Sequence, residues 1–320
     1  MKNTFIIFLL IIMVFSAGCS AGGQVTVNTD PVEKEAAQVE PPTDVPAATQ
    51  TSAPTETSAP TAIPSPTAFP GTQVYPIESL ASEIPWLPLS DGKRPAVNYI
   101  GFNNQQPPFD QAAVRLAFSY AVDRDVIVEM MRKYGARDAQ TAAIFTPPQT
   151  LGRDVSGEMG VTFDPQKAKA YLQEAGYEDP SGFPEVTYLV NVAGENAPGA
   201  HLNVANTIAD MWQTHLGVKV NVVLENNWET YLIMLRDDPP EIYRMGWVAD
   251  YNDPDNFLKT MLHSGAELNN GRYSNPDFDA LVNQAAEELD PAERMSLYLQ
   301  AERILIEEDA GVIALYHCIY

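Results

Sequence analysis

The chain has 320 residues, with 42 acidic and 19 basic side chains and a formal net charge of −23. A balance that negative argues against nucleic acid or an anionic lipid surface as partner. Two cysteines, Cys19 and Cys318, exclude a disulfide-dense scaffold.

The N-terminus reads as an export signal. Lys2 precedes an unbroken apolar run from Phe5 to Phe15, and Ser16, Ala17 and Gly18 lead to Cys19. The run is too short to span roughly 30 Å of hydrocarbon, which takes about twenty helical residues. Ser16-Ala17-Gly18-Cys19 resembles the lipobox of bacterial lipoproteins, departing from it at Ser16, where that family carries an aliphatic residue. The resemblance implies cleavage before Cys19, lipidation of Cys19 and anchoring on the bacterial cell membrane, since each buried methylene contributes about 0.8 kcal/mol. Residues 1–18 are thus expected to be a signal peptide. Residues 19–75, rich in Pro, Thr and Ala, bury too little apolar surface to fold and are expected to be a disordered tether.

From 76 to 320 helix and strand signals alternate. Asp110 is expected to cap a helix whose Val114, Ala117, Phe118 and Ala121 share a face, and Asp123 the next, through Val126, Ile127 and Met130. Asp164-Pro165 opens a third helix and Gly176 closes it. Strands are expected over 185–190, 218–224, 242–248 and 311–316. Between them lie helices over 202–215, ended by Gly217, and 228–235, and two that start at Asn275-Pro276 and Asp290-Pro291. This order implies an α/β layered fold with a largely buried sheet.

No catalytic constellation stands out, and the chain reads as a non-enzyme without cofactor or metal. His201, His215, His263 and His317 are far apart in sequence, and no metal-ligand, nucleophile-elbow or phosphate-loop motif occurs. Asp250, Asp253 and Asp255 invite a calcium reading but lack the Gly and Glu of an EF-hand loop. Glu287 and Glu288 cannot flank one glycosidic bond, because helix neighbours point about 100° apart.

Three segments carry a family resemblance. The first is Phe102-Asn103-Asn104-Gln105-Gln106-Pro107-Pro108-Phe109-Asp110, with Val114-Arg115 and Ala121-Val122-Asp123-Arg124-Asp125 after it. The second is Phe163-Asp164-Pro165-Gln166-Lys167-Ala168, leading to Glu174-Ala175-Gly176-Tyr177. The third is Gly246-Trp247-Val248-Ala249-Asp250-Tyr251-Asn252-Asp253-Pro254, followed by Tyr273-Ser274-Asn275-Pro276-Asp277-Phe278-Asp279. In order and spacing they resemble the C-terminal lobe of the family 5 solute-binding proteins of bacterial ABC importers, nearest to the oligopeptide-binding members. The resemblance implies one lobe of a periplasmic-binding-protein type II-like fold, and a ligand site.

By that resemblance Asp250 binds the peptide's α-ammonium, Trp247 and Trp228 line the cleft, and Arg244, sixteen residues after Trp228, faces a peptide carboxylate. A charge-assisted bond in a water-poor cleft contributes about 1.5–3 kcal/mol, and a planar guanidinium suits a carboxylate. The bland alternatives are core packing for the tryptophans, an ion pair for Arg244, and for Asp250 a cap on the helix starting near Pro254. The resemblance covers about Tyr99 to the end, so the family's N-terminal lobe and small extra domain are expected to have no counterpart here. The implied protein is extracytoplasmic, binds a peptide or other small solute, and has an ABC permease and a separate N-terminal lobe as possible partners. A degenerate fragment and a lipoprotein interaction module remain the alternatives. The site residues are expected together on one exposed apolar face.

Overall fold

The computed structural model describes residues 93–192 and 197–319. The signal peptide, the tether and their boundaries lie outside the described residues.

One six-stranded sheet organises the molecule in the order β2-β6-β1-β5-β3-β4. Its centre is β1 (Pro95–Phe102), antiparallel to both β5 (Ile242–Val248) and β6 (Val312–Ile319). The two-residue β2 (Gln140–Thr141) borders β6, while β3 (Val186–Val190) pairs in parallel with β5 and with β4 (Val220–Leu224). Every residue of β1 is buried, and such a strand shows no polar–apolar alternation to read. It was not anticipated from the sequence. β4 corrects the expectation of a largely buried sheet: it is an edge strand, with Val223 and Leu224 exposed.

The helices begin where short polar side chains can occupy orphan backbone donors. Asp123 accepts from Asp125 N and Val126 N at the start of α2 (Arg124–Lys133), and Asp164 from Gln166 N and Lys167 N at α4 (Pro165–Glu174). Asn275 and Asp290 do the same for α8 (Pro276–Glu287) and α9 (Pro291–Arg303), each with Pro at the first helical position. Two expectations fail. α1 (Ala112–Tyr120) starts after Gln111 with no side-chain cap, so Asp110 is not its cap. In α2 the buried face is Ile127, Val128 and Met131, and Val126 points outward. The remaining helices are α3 (Pro148–Leu151), α5 (Ala200–Leu216), α6 (Trp228–Asp237) and α7 (Lys259–Leu262). Gly217 ends α5 at φ 74°, a left-handed conformation that glycine adopts without a Cβ penalty.

Two cores lie on the two faces of the sheet. On one, Phe118, Ile127, Leu172 and Trp212 of α1, α2, α4 and α5 pack on Ile100, Tyr188 and Ile313. On the other, Tyr231, Met261, Phe278 and Tyr298 of α6, α7, α8 and α9 pack on Tyr99, Tyr243 and Trp247. Truncating one such buried aromatic to Ala removes about 3–5 kcal/mol. The close fit extends to Gly101, where any Cβ would run into the Tyr243 ring of the neighbouring strand.

The connections through β3, β4 and β5 place the site. From β3 the chain crosses by α5, on the first face, outward to β4. It returns by α6, on the second face, to β5 on the other side of β3. The crossovers thus leave the carboxyl ends of the adjacent strands β3 and β4 towards opposite faces of the sheet. Such a switch point is where open α/β sheets leave a crevice for ligands.

Candidate functional site

Of the residues expected to bind ligand, Trp228 and Asp250 lie beyond the carboxyl ends of the parallel strands. Trp228 opens α6 just after β4, Asp250 follows β5 by two residues, and His201, second residue of α5, follows β3. Arg244 and Trp247 lie on β5 itself.

Strand alternation decides what they touch. Arg244 shares its face of β5 with Ile242 and Val248, towards α5, whereas Trp247 shares the opposite face with Tyr243 and Met245. Arg244 and Trp247 are each only 5% exposed. The expectation of one exposed apolar face carrying Asp250, Trp247 and Arg244 is therefore corrected: the sheet separates Arg244 from Trp247, and only Asp250 is exposed.

Among the described residues Arg244 is a buried cation without a counter-charge. Its Nη2 donates to Asn98 Oδ1 at 2.6 Å and lies 3.0 Å from Nε2 of His201. No carboxylate among the described residues forms an ion pair with it, so the ion-pair alternative finds no partner there. A guanidinium only donates, so Nε2 of His201 is the acceptor and the ring proton sits on Nδ1. Burial, followed by the Arg244 charge, holds His201 well below the usual imidazole range, and a bond to the Asn191 backbone opposes this in part. Tyr188 adds a buried hydroxyl without a hydrogen-bond partner on the same face, pushed up by burial and lowered in part by Arg244. An uncompensated buried charge costs about 3–5 kcal/mol, and an incoming carboxylate would relieve that cost.

On the other face Trp228, half-buried, stacks on Tyr231 at 5.7 Å and 18°. The Tyr231 hydroxyl in turn donates to the backbone oxygen of Arg244. Trp247 donates its indole N–H to Asn256 Oδ1 at 3.0 Å, and the same oxygen accepts the Asp250 backbone N–H at 3.0 Å. Asp250 does not cap the turn at Pro254–Asn256. Asp253 does, accepting from Asp255 N, and Arg294 of α9 holds Asp253 at 2.9 and 3.1 Å. The calcium reading loses its second carboxylate to that ion pair. Asn98, His201 and Asn256 were missed by sequence reasoning, since their roles depend on partners brought near by the strand crossings.

A doubly wound sheet segment with polar groups converging on its carboxyl edge defines one lobe of a type II-like periplasmic binding protein, a class built to hold solutes. The model of the bacterial extracellular solute-binding proteins, family 5 (Middle), matches residues 57–269, and the chain belongs to that family. The chain is 32% identical over 223 residues to the periplasmic oligopeptide-binding protein OppA of Escherichia coli (strain K12), covering 68% of this chain and 39% of that protein. It superposes on the Escherichia coli murein tripeptide binding protein MppA with a TM-score of 0.62 and 30% identity, over 76% of this chain and 46% of the other. A solved peptide-binding protein of a peptide ABC transporter aligns over 70% of this chain and 99% of its own, with 27% identity and a TM-score of 0.60. The chain thus spans about 39% of the length of the oligopeptide-binding relative. These relatives are solute-binding proteins rather than enzymes.

Proposed function

We propose that this chain forms one wall of an extracytoplasmic peptide-binding cleft that serves an ABC importer, held on the membrane through lipidated Cys19. The observation that carries the reading is Arg244, buried on β5 beside the carboxyl end of β3 with only neutral partners among the described residues. It takes the carboxylate of the solute, and Asp250, exposed at the end of the same strand, takes the ammonium. Half-buried Trp228 lines the wall on the face opposite Arg244, and Trp247, buried on that face, supports the wall from beneath. Six residues separate the two charges, so along an extended chain they lie no more than about 20 Å apart. That reach suits a short peptide with both ends free. The names and identities of the oligopeptide and murein-tripeptide relatives support the solute class.

Binding by this chain alone is weak. Micromolar affinity requires about 8 kcal/mol net, and a single wall leaves the ligand's ends competing with water, so the expected Kd lies in about the high-micromolar range or above. A second polypeptide carrying the other wall is expected to tighten it. Titration calorimetry with tetrapeptides tests the site: amidating the C-terminus weakens binding to the wild type and leaves Arg244→Met unaffected. Equal binding of the free and the amidated peptide by the wild type would remove Arg244 from the site.

A further inference from the structure

Asn256 is buried to 1% exposure beside the site, and both of its hydrogen bonds to site residues end on one atom. Its Oδ1 accepts from the Trp247 indole and from the Asp250 backbone N–H, each at 3.0 Å. Among the described residues Asp250 has no other hydrogen bond, and its side chain is exposed. The Asn256 amide thus holds the Asp250 N–H one residue beyond the last strand bond, from Ala249 N–H to the Pro95 carbonyl. Asn256 is itself fixed: it ends the 3₁₀ turn Pro254–Asn256, whose cap Asp253 is clamped by Arg294 of α9. A continuous set of contacts runs from α9 through Asp253 and Asn256 to the end of β5.

We propose that Asn256 is a positioning residue for the peptide-ammonium subsite, setting the Asp250 carboxylate and the Trp247 ring in one arrangement without touching the ligand. The proposal rests on the reading of Asp250 as the ammonium's partner. Its chemistry is specific: one buried acceptor serves two donors from different parts of the site, so its loss frees both together. Leucine at 256 fills the volume and removes the acceptor. Aspartate keeps an acceptor at the same place, and serine removes the reach by truncation, without adding apolar bulk.

The test uses the full chain and variants Asn256→Leu, Asn256→Ser, Asn256→Asp and Asp250→Asn, with a tetrapeptide that has a free or an acetylated N-terminus. Hydrogen exchange by NMR reads the Trp247 indole and the Asp250 amide, and calorimetry reads the preference for the free amine. Asn256→Leu is expected to speed exchange of both protons by about tenfold or more, to leave the β1 amides protected, and to cut the free-amine preference on the order of fivefold. If the leucine variant fails to fold, the serine variant gives the same reading. Asn256→Asp keeps both slow protons and the preference, whereas Asp250→Asn loses the preference and keeps the indole proton slow. Retention of the preference by Asn256→Leu or Asn256→Ser, with its loss in Asp250→Asn, overturns the positioning role and leaves the ammonium subsite standing. A wild type, or an Asp250→Asn variant, that binds both peptides as the other does overturns the subsite and the positioning role with it.

Discussion

Glu302 and His317 grip the same stretch of backbone. Glu302, fully buried, accepts from the N–H groups of Phe145 and Thr146 and from the Thr146 hydroxyl at 2.8 Å, while His317 lies 3.2 Å from the Phe145 carbonyl. Burial pushes the Glu302 carboxyl up to about 7 and the His317 imidazole down to about 4. The two act on stability with opposite signs. Glu302 binds its proton more tightly in the folded state, so its contribution is complete below the unfolded value near 4.5 and is lost as pH rises through about 7. His317 binds its proton less tightly when folded, so its contribution is complete above the unfolded value near 6.5 and is lost as pH falls towards about 4. His201, held down by burial and by Arg244, adds to the His317 side. With two histidines on one side and one carboxyl on the other, the wild type is expected to lose stability as pH falls from about 6.5 to 4.5, with Glu302 offsetting part of the loss. Glu302→Gln leaves the histidines unopposed, and urea denaturation should find that variant losing about 1–3 kcal/mol on going from pH 7 to pH 5 relative to wild type. A variant with the wild-type pH slope would mean that burial does not hold Glu302 protonated below neutral pH.

Among the elements, the helix starts separate what the sequence makes readable from what it hides. Asp164 accepts from the backbone N–H groups of Gln166 and Lys167, so Asp164→Ala should cost about 1 kcal/mol, measured by chemical denaturation. Asp110, which a reading by residue type alone would also make a cap, lies one residue too early, and Asp110→Ala should change stability by less than about 0.5 kcal/mol. The caps at Asp123, Asp164, Asn275 and Asp290 were legible because each signal is complete within four residues of chain. The strand β5 was legible to the residue, and the family resemblance marked its site positions. β1 was not legible, because its ladder partners β5 and β6 lie more than a hundred residues away and the two cores on either side of the sheet bury both of its faces. The openness of β4 was hidden for the same reason: an aliphatic run does not say whether a second strand will lie beside it. At the site, Trp247 and Asp250 came from the motif, but His201 meets Arg244 only through the β3–α5 connection, 43 residues away in sequence.

At the scale of the molecule, the described residues carry two cores on one sheet, and a solved peptide-binding protein of matching extent shares the fold. Limited proteolysis is expected to remove the Pro/Thr/Ala-rich segment and leave a resistant fragment of roughly 25 kDa that starts near Lys93. Two stable fragments of similar size would contradict a single folded lobe. Fractionation of expressing cells tests the anchor. Cys19→Ala should move the protein to the soluble extracytoplasmic fraction or leave it unprocessed, and normal processing with unchanged membrane retention would assign the anchoring elsewhere. The register of the central strands sets where anything fused to this lobe must sit. Pro95 pairs with Ile319, and Ala96 pairs with Val248, two residues before Asp250. The two ends of the described segment therefore leave the sheet side by side, at the edge that carries the candidate site. A partner wall joined after Tyr320 by a short flexible linker would meet that edge at a local concentration in the millimolar range. Closing the cleft would then be an intramolecular step, with no second chain to be recruited from solution.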